Sequence, residues 1–299
     1  MTFQVEEDNS GIRLDLFLAH SQNTYTRSSV KSHINAGKVL VNQAVEFKPN
    51  YRVKIGDQIV VDFEISKAGE IIAQDIPLDI IYEDSDLLVI NKPVGQVVHP
   101  ATGNWQNTLV NALVFHFKEM EKVGENIRSG LIHRLDKDTS GLVLIGKTNK
   151  GLWYYSKLFA ERKVVKTYLA VVLGNVKERF PSGKFSIENY LGRNPIKRKK
   201  FTVVSAEKGK LAETDFILQN LINVNGRICS ILEVSPRTGR THQIRVHLSK
   251  SGYPILGDQI YGRTKFPRLM LHAWKIEVLL MTGKMKEFIA PIPEEFKFN

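Results

Sequence analysis

From Pro77 to the end of the chain, short apolar runs rich in β-branched residues recur between turn signals and stretches of helical periodicity. That alternation predicts an α+β architecture built on a sheet. LDIIYEDSDLLVINKP carries two apolar runs parted by EDSD, the pattern of a hairpin. LVLIGKT, TYLAVVL, TDFILQNL and ICSILEV predict further strands, and LVNALVFHF, GLWYYSKLFAERK and THQIRVHLSKSG predict helices between them.

The first 63 residues are patterned differently. Leu14, Phe17 and Leu18 share one helical face. A second helix is expected over RSSVKSHINA, with Thr26 ahead of it, Val30 and Ile34 on one side and Gly37 as its stop. KVLVN reads as a strand, YRVKI alternates, Gly56-Asp57 signals a turn and QIVVDF reads as another strand. The expected organisation is therefore a small helix-helix-strand domain over 1–63, a linker over 64–76 where the pattern lapses, and a larger domain over 77–299. A length of 299 residues suits two domains.

No stretch approaches eighteen apolar residues, and the opening MTFQVEEDNS is acidic and polar where a signal peptide is basic and then apolar. A soluble, cytoplasmic protein is expected. The single cysteine, Cys229, lies in the apolar run RICSILEV, which removes disulfide frameworks and cysteine metal sites and predicts a buried thiol. The net charge of +11 points to a polyanionic partner. Residues 1–63 hold seven basic and seven acidic residues, so the whole excess lies beyond them. Residues 150–200 alone carry thirteen Lys/Arg against three Asp/Glu and end on Lys197, Arg198, Lys199 and Lys200. Such a run is either a phosphate-binding patch or a solvated loop.

The sharpest segment is HRLDKDTSG (133–141), polar and followed directly by LVLIGKT. By composition it is a turn feeding a strand. HRLDKDTSGLVLIGKT, however, resembles the signature of the RluA-type family of pseudouridine synthases. VINKPVGQVVHP (89–100), Lys166-Thr167-Tyr168 and PRTGRTHQIRVHLSKSGYPILGDQIYG (236–262) resemble further motifs of that family, and the likeness spans 77–299. RLDLFLAH and TRSSVKSHINAGKVLVN resemble the S4 RNA-binding domain. VVHPATGN and the closing LHAWKIEV…KEFIAPIPEEF are similar to members acting on large-subunit (23S) ribosomal RNA. Asn104-Trp105 departs from their pattern and leaves the target uridines open.

The resemblance implies a mixed, mainly antiparallel catalytic sheet and a reaction in which the bond from uracil N1 to ribose C1′ breaks, the base turns, and C5 joins C1′. No atom is gained or lost, so no cofactor or metal is expected. Asp136 is implied as the catalytic carboxylate, acting as nucleophile or as base and ion stabiliser at the ribose. Arg245 is implied as the ion-pair partner keeping it ionised; by pattern alone it is a surface arginine on an amphipathic helix. Tyr168, by alternation a core or cross-strand aromatic, is implied as a ring stacked on the uracil, with Ile244 as an opposite wall or a plain core residue. Arg134 is implied to fill the space a flipped uridine vacates or to hold phosphates. Arg13, Arg27, Lys31 and Lys38 are the candidate RNA contacts of the small domain, and Lys197 to Lys200 those of the large one.

A metal site on His133, His242 and His247 is disfavoured because His242 and His247, five residues apart, do not share a helix face as an i, i+4 pair does. Asp136 and Asp138 offer a nuclease-type Mg²⁺ pair, against which stands the intervening Lys137. A non-catalytic RNA-binding assembly factor and a synthase acting on transfer RNA or another ribosomal site are the alternatives. The expected partner is RNA, free or in an assembling large ribosomal subunit, with no membrane, no obligate protein partner and a monomeric chain.

Overall fold

The computed structural model describes residues 1–20, 27–61, 71–100, 104–123, 130–197, 200–262 and 264–298. Thr26, the side chain of Arg27, most of the expected linker (64–70), Arg198 and Lys199 lie outside the described residues. The chain divides into two compact units, Met1–Ile72 with Ala101–Trp105, and Ala73–Pro100 with Gln106–Asn299. The first extends past residue 63 and takes in Asn104 and Trp105, which fall within the range expected for the larger domain.

In the first unit β1 (Thr2–Gln4), α1 (Leu14–His20), α2 (Arg27–Asn35), β2 (Val39–Val41), β3 (Ala44–Val45) and β4 (Gln58–Val61) follow one another. The strands form an antiparallel sheet in the order β1-β4-β2-β3. Leu14, Phe17, Leu18, Val30 and Ile34 are all buried with Val39, Val41, Ile59 and Val61, so the apolar faces read from spacing are the core. Gly37 ends α2 with φ +72°, and the N–H of Lys38 reaches back to His33 O at 3.1 Å, a closure that favours glycine. The alternating YRVKI is not a strand. Its backbone groups are taken by the segment entering α1 (Leu14 N to Tyr51 O 2.7 Å, Gly11 N to Val53 O 2.8 Å), leaving one isolated bridge, Arg13 to Arg52.

The second unit contains β5 (Ile80–Glu83), β6 (Leu87–Lys92), α3 (Leu109–His116), β7 (Ser140–Gly146), α4 (Asn149–Ala160), β8 (Val165–Leu173), β9 (Lys184–Arg193), β10 (Phe201–Val204), β11 (Lys210–Val224), β12 (Arg227–Pro236), α5 (Gln243–Lys250), β13 (Leu271–Leu279) and β14 (Met285–Ile289). Nine strands run in the order β10-β9-β11-β12-β8-β13-β7-β6-β5, with β14 also on β13. Among the named strands of the described residues only β13 and β7 pair in parallel; an isolated parallel bridge also joins Val97 and Thr108. The fold is α+β with a mixed, mainly antiparallel sheet, as expected.

β6 and β7 are buried on both faces, which explains their unbroken apolar runs. Leu87, Val89, Leu142 and Leu144 pack with Tyr155 and Leu158 of α4, while Leu88, Ile90, Val143 and Ile145 pack with Leu109 and Leu113 of α3. α3 starts at a capping box between Thr108 and Asn111, and Thr148 caps α4. The parallel pairing of β7 with β13 depends on Gly141, whose φ is +110° and where a Cβ would stand 2.2 Å from Ala273 O. β9, β10, β13 and β14 were not expected. β9 alternates half-buried with exposed residues and carries polar ones on both faces, so its strand character comes from pairing with β11.

Candidate active site

Asp136 lies in the turn just before β7, where Thr139 N donates to Asp136 O at 3.2 Å. Three contacts fix this turn. His133 Nε2 accepts from Leu144 N at 3.0 Å while its ring stacks on Phe159 at 4.6 Å. Gly95 N donates to Lys137 O at 3.0 Å. The fully buried Lys92 donates through Nζ to Pro93 O (2.7 Å), Gln96 O (2.9 Å) and Lys137 O (3.1 Å), tying the end of β6 to the turn. Burial lowers the Lys92 pKa to about 7 although Asp138 and Asp136 pull it up.

The opposite side of the site is built by the segment from Pro236 into α5. Gln243 is buried and fully used: its Oε1 accepts from Thr238 Oγ1 (2.7 Å) and Arg240 N (3.0 Å), and its Nε2 donates to Glu213 O and Thr214 Oγ1 (2.9 Å each). α5 thereby presents Arg245 inward. Arg245 is no surface arginine: it is 3 % exposed. Its main partner, missed by sequence reading, is the buried Asp258, which it grips from Nε (2.8 Å) and Nη2 (2.9 Å). Nη1 is left to meet Asp136 Oδ2 at 3.2 Å. Burial opposes the guanidinium charge, but the hydrogen bonds and charge of Asp258, and then of Asp136, push its pKa above the ordinary value. Burial likewise works against ionised Asp258, and Arg245 with the N–H groups of Ile260 and Tyr261 outweighs it, holding the carboxyl below its usual range.

Asp136, Arg245, Tyr168, Ile244 and Arg134 line one pocket of about 130 Å³. Tyr168 is half-buried on β8, paired with Val234 and Ala273, and burial, with the charge of Asp136, raises its pKa. Ile244 is buried at the pocket wall and belongs to the core as well. Arg134 is exposed at the rim. His242, weighed above only as a metal ligand, also lines the pocket. It precedes α5 in the left-handed conformation (φ +56°), its Nδ1 lies 2.8 Å from Tyr261 Oη, and its Nε2 lies 3.7 Å from Asp136 Oδ2. Burial lowers its pKa against the pull of Asp136. His247 points elsewhere, to Thr214 Oγ1 at 3.0 Å. Among the described residues no three His, Cys, Asp or Glu side chains gather as a metal site.

Asp258 and His242 both lie in the quoted stretch 236–262, so the segment was legible and the pairing was not. Lys200 is no free end of a solvated run: it donates to Ile260 O and lies 5.7 Å over the Tyr261 ring, whereas Lys197 is exposed. In the first unit, Arg13 Nε meets the buried Asp15 at 2.9 Å and Lys31 Nζ approaches it at 3.7 Å; Lys38 is exposed. Cys229 is buried, and no described helix is long and apolar enough to cross a membrane.

The model of the RNA pseudouridylate synthase family matches residues 86–250, which hold Asp136, Tyr168 and Arg245. The chain belongs to that family. The S4 domain model matches residues 12–59 of this synthase. Over 304 residues it is 38% identical to the ribosomal large subunit pseudouridine synthase D of Borreliella burgdorferi, covering 98% of this chain and 90% of that one. The protein of the same name from Pseudomonas aeruginosa is 38% identical over 314 residues, covering 98% and 92%. Among solved structures, human RNA pseudouridylate synthase domain containing 1 is similar, with 29% identity and a TM-score of 0.60 over 73% of this chain and 84% of that one.

Proposed function

We propose that this synthase isomerises uridines in large-subunit ribosomal RNA, with Asp136 as its catalytic carboxylate. The observation that carries the assignment is the position of Asp136: its carboxylate faces the pocket while the guanidinium hydrogen-bonded to it, Arg245, is buried and clamped by Asp258. A guanidinium fixed from behind holds an anion at the pocket wall without covering it. The target uridine leaves its stack, and its base lies on Tyr168 with Ile244 as apolar wall and Arg134 at the mouth. Asp136 acts at the ribose as the N1–C1′ bond breaks. Stacking retains the detached uracil while it turns in its plane and C5 joins C1′; C5 then gives its proton up to solvent, and N1, freed from the ribose, takes one up in exchange.

The two similar proteins named for the large subunit support the choice of RNA. In the first unit Arg13, Arg27, Lys31 and Lys38 supply phosphate contacts, and Lys197 to Lys200 add attraction for any RNA. The chain is taken to work as a monomer, in the cytoplasm and without metal or cofactor. The test is tritium release from ribosomal RNA labelled at uridine C5, in EDTA and on prefolded RNA, followed by mapping of the modified positions. Release with sites in large-subunit RNA is expected. No release, release restored only by metal, or sites confined to transfer RNA would overturn the corresponding part.

A further inference from the structure

Beside Tyr168 the base pocket passes into a larger cleft of about 520 Å³, and the two share Lys166, Tyr168, Arg134 and Arg240. The cleft is lined by five cationic side chains, Arg134, Arg162, Lys166, Arg237 and Arg240, and none of its fourteen lining residues is acidic. Some of these cations are engaged: Arg237 pairs with Asp215 at 2.6 Å, and Arg240 Nε donates to Leu211 O at 3.0 Å. Arg162 has only a long contact, 3.8 Å, to Glu213. Lys166 has no carboxylate within salt-bridge distance among the described residues, and its ammonium lies 5.9 Å over the Phe159 ring. Burial, and then the charge of Arg162, lowers its pKa, so a bound anion would restore what desolvation takes away.

Two backbone features aim these cations. Lys166 and Tyr168 are two residues apart on β8, so both project from one face of the sheet, their backbone positions about 7 Å apart along the strand. Arg162 closes α4 in the left-handed conformation (φ +59°), with Lys163 N bonded to Leu158 O at 2.9 Å, a place where glycine is the usual residue.

We infer that this cleft is a phosphate subsite, in which Lys166 and Arg162 hold the phosphodiester of a nucleotide adjoining the uridine bound on Tyr168. The inference rests on the reading that RNA enters the neighbouring pocket base first. It commits the RNA to a path: the strand beside the target must be unpaired and turn its phosphate inward.

The test is a set of stem-loop RNAs, each with one neutral methylphosphonate at a single position from two nucleotides 5′ to two nucleotides 3′ of the target. Affinity is measured with the full-length Asp136→Asn protein, so that turnover plays no part. One position is expected to lose roughly 10- to 100-fold, the loss of a charge-assisted hydrogen bond. Lys166→Met lowers affinity for the unmodified RNA by a similar factor and no longer senses the substitution at that position. Arg162→Gly, which suits the left-handed backbone, weakens the same sensitivity and guards against a folding defect in the first variant. Equal sensitivity in wild-type and variant backgrounds, or a small loss spread evenly over all positions, would overturn the subsite. Failure of wild-type protein to release tritium from unmodified RNA would instead sink the underlying reading of the pocket.

Discussion

Each unit of this synthase contains a buried ion pair, and the two are arranged inside out. In the first unit the carboxylate is interior: Asp15 has no exposed side-chain surface, while Arg13 and Lys31 keep 35% and 43%. In the second the cation is interior: Arg245 is 3% exposed and Asp136 keeps 21%. The member left facing solvent decides what each pair offers. A buried anion gathers cations into a surface suited to phosphates, whereas a buried cation presents an anion to whatever enters the pocket. The interior partner also needs support, because an ion taken from water must be hydrogen-bonded as well as paired. Arg245 has the bidentate grip of Asp258, which leaves only its Nη1 to Asp136.

The comparison breaks first on turnover. Asp136→Asn keeps the shape and loses the anion, and is expected to reduce tritium release by at least roughly 10²–10⁴-fold, the span of a positioned acid or base. Near wild-type release would return the anion to a structural role. Next comes the interior partner: Arg245→Ala or Asp258→Asn leaves a buried charge without its mate and is expected to cost about 3–5 kcal/mol by urea denaturation. Arg245→Lys should recover only part, since an ammonium cannot match both oxygens of Asp258. Full stability of Asp258→Asn would show that Asp136 alone suffices for Arg245.

Acid should weaken the second unit through its interior histidines. His247 and His272 are buried, and desolvation lowers each from 6.5 to about 4. The unfolded chain binds protons there that the folded one refuses, so their contribution is whole above pH 6.5, declines as pH falls, and is gone near pH 4. The loss is on the order of 3 kcal/mol per histidine. Thermal melts from pH 7 to 4 should show it, and a His272→Asn variant with an unchanged slope would exclude that residue.

Tyr168→Ala is expected to lose about 1–3 kcal/mol of base stacking in RNA affinity, while Tyr168→Phe retains it. Equal affinity for alanine and wild type would make Tyr168 a packing residue only. The smallest effect belongs to the first unit. Lys31→Gln with Lys38→Gln, sparing the Arg13 clasp on Asp15, should flatten the salt dependence of RNA binding by about 0.7–0.9 log units per lost phosphate contact. Folding should shift by no more than about 0.5 kcal/mol. An unchanged salt slope would remove these lysines from the RNA surface.

Local chemistry made much of this legible in the sequence. The two helices of the first unit, the β5–β6 hairpin, the doubly buried β7 and the helix carrying Arg245 follow from the periodicity of apolar residues, because each element buries a face that its own spacing defines. Asp136 stood out through motif resemblance, and the identity of its partner came from the same source. What only the tertiary structure decided is which groups meet across long stretches of chain. Arg245 reaches Asp136 from 109 residues away, and Lys92 reaches the carbonyl of Lys137 from 45. β9 becomes a strand because β11 lies beside it, and Lys166, among the described residues, is a cation without a carboxylate at salt-bridge distance because of what the fold places around it. Periodicity records how a residue relates to its neighbours in the chain, and burial, ion pairing and the cationic cleft are set by residues far from it.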